Sequence, residues 1–121
     1  MNEFRSGCSV ATTLDILGDK WSLLIVRDLF LGRNTFSEFL KSAPEGIASN
    51  ILNDRLKKLR FYIIVDYRKN PEDKKIKEYY LTDMGVDLFP VIYAMHLWSV
   101  SHVAFDKHPI TQEWLEKVDI M

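Results

Sequence analysis

The clearest periodicity in the chain lies between Gly46 and Leu59. Leu52, Leu56 and Leu59 recur there at helical spacing and stack on one face. The opposite face carries Asn50, Asn53, Asp54 and Lys57, flanked by Ser49 and Arg60. The pattern predicts an amphipathic helix whose outer side is built from short amides and cations. Upstream, Val10, Leu14 and Leu17 form a stripe that predicts a helix over Ser9–Leu17, stopped by Gly18. Asp19 is placed to cap a second helix running to Phe30, with Trp21, Leu24, Ile25 and Leu29 inward and Gly32 at its end. Thr35-Phe36-Ser37-Glu38 is a capping box opening a short third helix that bears Phe36, Phe39 and Leu40. Pro44-Glu45-Gly46 supplies the turn into the amide-bearing helix.

From Ile63 the pattern changes to that of strands. Ile63 to Arg68 is β-branched and aromatic, Lys69 to Lys74 is turn chemistry, and Ile76 to Leu81 resumes a strand. Thr82 is placed to cap a long apolar helix from Asp83 towards Phe105, in which Pro90 predicts a kink or a late start. Thr111 to Leu115 suggests a last short helix. The expected fold is mainly α with a small β-hairpin (α+β), as one domain over residues 1–121. Two helices about a short turn, residues 35–60, followed by a hairpin wing over 63–81, give the outline of a winged helix-turn-helix. The helix over 83–105, with Leu88, Val91, Ile92, Met95, Leu97 and Trp98, carries more apolar surface than so small a domain needs to bury. It is therefore expected to pair two copies into a homodimer.

Composition sharpens this picture. With 121 residues and 47% hydrophobic content, one domain with a real core is expected. No signal peptide is read at the N-terminus, and no window approaches the ~20 apolar residues of a membrane span. The single cysteine, Cys8, fits a reducing, cytoplasmic setting. There is no Cys-x-x-Cys, no glycine-rich phosphate loop and no nucleophile with a base, so no enzyme, cofactor or metal is expected. His96, His102 and His108 lack metal-ligand spacing. The formal net charge of −1 hides an uneven distribution. Arg55, Lys57, Lys58, Arg60, Arg68, Lys69, Lys74, Lys75 and Lys77 face only Asp66, Glu72 and Asp73 between residues 55 and 77, whereas the flanking segments are acidic. A basic surplus confined to one helix and one hairpin is the electrostatic footprint that phosphates require.

The candidate contacts with double-stranded DNA follow from these patterns. Asn50 and Asn53 suit adenine edges, and Ser49 a base or phosphate; the alternative is that the amides only solubilise the helix and Ser49 is its N-cap. Arg55 sits near the inward stripe, either touching DNA or bracing the domain through Asp54 or Asp28. Lys57, Lys74, Lys75 and Lys77 suit phosphates, giving affinity without sequence choice. Cys8 precedes a helix start with Arg5 nearby in sequence, a setting that favours a thiolate open to an oxidant or a small electrophile. A partly buried, inert thiol is the alternative. Trp21 and Trp98 read as packing anchors. The functional reading is a homodimeric DNA-binding regulator; the alternative is a winged-helix protein–protein module without sequence-specific DNA binding.

Several of these residues are familiar together. Cys8, Leu14-Asp15-Ile16-Leu17-Gly18-Asp19-Lys20-Trp21-Ser22-Leu23-Leu24-Ile25-Val26-Arg27-Asp28-Leu29, Phe36-Ser37-Glu38-Phe39, Gly46-Ile47, Leu52-x-x-Arg55-Leu56-x-x-Leu59, Tyr79-Tyr80-Leu81-Thr82-x-x-Gly85 and Trp98 run in order over residues 8 to 98. Together they resemble the HxlR-type winged helix-turn-helix transcriptional regulators. The resemblance implies a homodimer on operator DNA, paired through its N-terminal helix and long C-terminal helix. It also implies, for several members, a response to oxidants or electrophiles at the cysteine matched by Cys8. Three positions depart from the family pattern. Ser9 replaces a proline, Arg60 reverses a commonly acidic position, and Ile63 stands where a glycine usually separates helix and wing. A β-branched residue resists positive φ, so either the helix is expected to end differently here or a neighbour to take the unusual dihedral.

Overall fold

A computed structural model describes residues 4–42, 44–103 and 116 of the chain. In chain order it comprises α1 (Ser9–Leu17), α2 (Ser22–Phe30), α3 (Phe36–Ser42), α4 (Ser49–Phe61), β1 (Val65–Lys69), β2 (Lys77–Leu81), α5 (Asp83–Val86) and α6 (Phe89–His102). The short helix expected at Thr111–Leu115 lies outside the described residues.

Local chemistry explains most of these boundaries. The Asp19 carboxylate accepts from the Trp21 and Ser22 amides, both at 3.1 Å, and so satisfies donors that the start of α2 would leave open. The capping box of α3 is closed in both directions. Thr35 Oγ1 accepts from the Glu38 amide, and Glu38 Oε1 accepts from the Thr35 amide, each at 3.2 Å. Gly46 turns the chain into α4 with φ of 71°, a left-handed conformation that glycine adopts without cost.

Between α2, α3, α4 and the hairpin lies one core, built on Leu17, Ile25, Val26, Phe39, Ile47, Leu52, Leu56, Leu59, Tyr62, Ile64 and Val65. All three leucines of the α4 stripe are buried. The inward face of α2 is wider than the expected one. Ile25 is buried and Trp21 and Leu29 pack half-buried against the core, as expected, Leu24 is half-covered, and Ser22, Val26 and Asp28 are buried as well. The helix touches both α4 and β2, so its buried surface is wider than a single stripe.

The junction between α4 and the wing corrects the expectation for residue 63. Ile63 itself takes the left-handed conformation, with φ of 63°, and no neighbour relieves it. The helix ends in a Schellman motif: the Ile64 amide donates to the Leu59 carbonyl at 2.9 Å, and the Ile63 amide to the Arg60 carbonyl at 3.0 Å. The isoleucine thus occupies the seat that usually suits glycine, with its side chain exposed.

Strands β1 and β2 pair antiparallel in the register Val65 with Leu81 to Lys69 with Lys77. The hairpin is tied to the body where the Tyr79 amide donates to the Asn34 carbonyl at 2.7 Å. It is tied again where the Thr82 hydroxyl donates to the carbonyls of Ile63 and Ile64. At Gly85 a Cβ would stand 2.2 Å from the Ile64 carbonyl oxygen, so only glycine lets the chain pass there. Thr82 caps the single turn of α5, with its hydroxyl accepting from the Gly85 amide at 3.1 Å. The apolar segment then restarts as α6 with Pro90 in its first turn, the late start that proline favours because its missing N–H is harmless there. No described residue of α6 is buried. Trp98, read above as a packing anchor, is 62% exposed, with its ring tilted against that of His102 at 5.5 Å between centroids.

Candidate nucleic-acid interface

Helix α4 divides cleanly. Its inner stripe is closed into the core, and Ser49, Asn50, Asn53 and Lys57 are exposed on the other side. Among the described residues, these four side chains carry no internal hydrogen bond or ion pair. Ser49 is the first helical residue, and Ala48 occupies the cap position. The Ser49 hydroxyl is therefore not the N-cap of α4. Exposed, unpartnered amides offer a donor and an acceptor each, the pattern that base edges in a major groove can satisfy.

The remaining α4 cations are held differently. Arg55 donates through Nε to Asp19 Oδ2 at 2.8 Å, and Lys58 through Nζ to Asp19 Oδ1 at 2.6 Å. Arg55 also meets Asp54. Bracing by Asp54 was anticipated; bracing by Asp28 was not realised, because Asp28 is buried against Arg27 at 3.0 Å. Partial burial alone would raise the Asp19 carboxyl. The Lys58, Ser22 and Arg55 donors outweigh it and hold the group well below the usual carboxylate range. The Arg55 guanidinium is correspondingly raised, chiefly by its hydrogen bond to Asp19. Arg60 leans on the wing, 3.2 Å from Asp66 and 4.3 Å over the Tyr67 ring.

The wing tip is shaped by short polar side chains. Asn70 Oδ1 accepts from the Glu72 and Asp73 amides, and Asp73 Oδ1 accepts from the Lys75 amide. These bonds turn Lys74 and Lys75 outward. Lys77 lies over the Tyr67 ring at 4.7 Å. Between α3, α4 and the wing runs an open groove of about 670 Å³, lined by Asn53, Lys75 and Lys77 together with Phe36, Ile76 and Lys41. The structure thus gathers Asn53, Lys75 and Lys77 around one concavity, with Lys57 on the same helix as Asn53. Lys41 was missed in the sequence because nothing local signals that the end of α3 faces the wing.

Cys8 stands apart from this face, at the N-cap position of α1 and exposed. Its thiol makes no capping hydrogen bond, yet the nearby amides of Ala11 and Val10 hold it below its ordinary value. Arg5 does not contribute as the sequence suggested, since it pairs with Asp15.

A helix-turn-helix of α3 and α4 followed by a β-hairpin defines a winged helix-turn-helix protein. The profile of HxlR-like helix-turn-helix proteins matches residues 16–107, and the chain belongs to that family, one of transcriptional regulators and not of enzymes. The uncharacterized HTH-type transcriptional regulator sll1512 of Synechocystis sp. is 35% identical over 95 residues, covering 77% of this chain and 70% of its own. The crystal structure of PA1607 superposes with a TM-score of 0.77 at 40% identity, covering 86% of this chain and 72% of that one. The redox regulator HypR in its oxidized form gives 0.70 at 30% identity, over 81% of this chain and all of the other. Among the described residues, no helix is long and apolar enough to cross a membrane.

Proposed function

We propose that the chain acts as a homodimer on operator DNA, with α4 in the major groove and the β1–β2 hairpin over the adjoining backbone. The observation that carries this reading is the outer face of α4, where Ser49, Asn50, Asn53 and Lys57 stand exposed and, among the described residues, unpartnered. In this reading the amides select bases, and Lys57, Lys74, Lys75 and Lys77 hold phosphates. Arg55, committed to Asp19 and Asp54, supports the interface from behind. A single helix covers too few base pairs for useful selectivity, and two copies reading half-sites about one helical turn apart supply the rest. The exposed apolar side chains of α1 and α6, among them Val10, Leu14, Met95 and Trp98, support that pairing.

Cys8 is assigned a second role, as the thiol through which oxidants or electrophiles alter DNA affinity. The lowered thiol and the likeness to HypR support it. Duplexes recovered by selection from a random library test the whole reading. The wild type should bind a recovered duplex with two related half-sites, sediment as a dimer, and lose affinity after diamide treatment that leaves Cys8→Ser unaffected. Absence of any enriched duplex would overturn the DNA reading. Unchanged affinity after confirmed modification of Cys8 would remove only the sensor role.

A further inference from the structure

We infer that Asp19 is the positioning residue of the DNA face, fixing the seat of α4 and deciding which of its cations are available to phosphate. The inference rests on the DNA-binding reading above. One carboxylate gathers donors from two helices. From the start of α2 come the Trp21 and Ser22 amides at 3.1 Å and the Ser22 hydroxyl at 2.6 Å. From the middle of α4 come Arg55 Nε at 2.8 Å and Lys58 Nζ at 2.6 Å. Ser22 is fully buried, so the anchor on the α2 side is enclosed by the core.

Two consequences follow. Arg55 and Lys58 lie three residues apart and project from one side of α4, between the leucine stripe and the amides. Holding both on one anion adds a directional restraint on the rotation of α4 about its axis, on the flank beside the leucine packing. Asn50 and Asn53 sit on that same helix, so their aim depends on the same carboxylate. The second consequence is electrostatic. Arg55 and Lys58 count towards the basic surplus, yet Lys58 is spent inward on Asp19, and Arg55 on Asp19 and Asp54. Without the Asp19 charge, Lys58 would add sequence-independent affinity and lower the ratio of operator to random binding.

Asp19→Asn keeps the shape and removes the charge. On a random-sequence duplex, the slope of log affinity against log salt should steepen by about 0.9, the value for the one phosphate contact that Lys58 adds, since Arg55 keeps its pair with Asp54. The preference for a library-selected duplex over the random one should fall. Lys58→Gln alone should leave the slope unchanged, whereas in the Asp19→Asn background it should take back about 0.9. A loss of fold without a positioning role would weaken binding and leave the slope where it was. An unchanged slope in a folded Asp19→Asn protein overturns the inference while the DNA reading stands; a wild type that binds no duplex removes both. Should Asp19→Asn fail to fold, Lys58→Gln and Arg55→Gln in the wild type decide. Unchanged slopes support sequestration by Asp19, and flattened slopes overturn it.

Discussion

Helices α4 and α6 are of similar length and lie at opposite extremes of burial. Over Ser49–Phe61, α4 is mostly polar, yet Leu52, Leu56 and Leu59 are almost completely closed from solvent. Over Phe89–His102, α6 is far more apolar, yet none of its residues is fully buried; Ile92 packs part-buried on the core, and Val91, Met95, Leu97, Trp98 and Val100 are all exposed. Burial within one chain therefore follows pattern and not apolar content. A narrow stripe finds a core, whereas a helix apolar all round has surface left over after its contacts are made. That surplus is what a second copy would cover.

The largest contrast should appear in stability. Leu56→Ala removes a buried side chain from a filled core and should cost about 2–5 kcal/mol of unfolding free energy. It is read by urea denaturation under conditions where the wild type is fully folded. Trp98→Ala should leave the fold of the single chain intact and act on assembly. The proposed dimer should weaken by about 2–4 kcal/mol if Trp98 is a central anchor, seen as a shift to monomer in sedimentation velocity. An unfolded Trp98→Ala monomer would break the comparison, because α6 would then belong to the chain's own core.

The two faces of α4 offer a finer contrast. Asn53→Ala touches nothing internal, so stability should hold while discrimination between selected and random duplexes drops by about 1–3 kcal/mol. Lys74→Ala with Lys75→Ala should weaken both duplexes alike and flatten their salt dependence. Competition anisotropy at several salt concentrations separates the outcomes. A lysine pair that altered only the selected duplex would reverse this division between choice and affinity.

How far the sequence reached depended on the range of the interaction. Boundaries set by neighbours were legible: the capping box at Thr35, the turn at Gly46, the leucine stripe of α4 and the late start at Pro90. On α2, Ile25, Trp21 and Leu29 meet the core as the pattern predicted, whereas the burial of Ser22, Val26 and Asp28 was not legible, because contacts with α4 and β2 arrive from two directions, which periodicity alone does not encode. Asp19 was legible as a cap for α2, but not as a partner of Arg55 and Lys58, which stand 36 and 39 residues further on. For the proposed interface, residue types pointed to the outer face of α4. The withdrawal of Arg55 and the arrival of Lys41 in the groove needed tertiary geometry.

The smallest predicted effect concerns the end of α4, where pattern and conformation disagree. Ile63 holds φ of 63° although its Cβ opposes that region. The cost of a left-handed L-residue is about 1–2 kcal/mol. Glycine would remove it, but would also give the unfolded chain more freedom, a loss of about 0.5–1 kcal/mol. Little burial is forfeited, since Ile63 is 61% exposed. The bonds that define the junction run through the backbone, from Ile64 to Leu59, from Ile63 to Arg60 and from Thr82 to the Ile63 carbonyl, so they survive the change. Ile63→Gly should therefore stabilise the protein by about 1 kcal/mol or less. Ile63→Ala, which keeps the Cβ, should not stabilise it. The measurement is urea denaturation of the three proteins side by side, at concentrations that keep assembly equal. If Ile63→Gly were destabilised like a core deletion, the isoleucine would have to be covered in the folded assembly. This edge of α4 would then join α6 among the surfaces that the single chain leaves open.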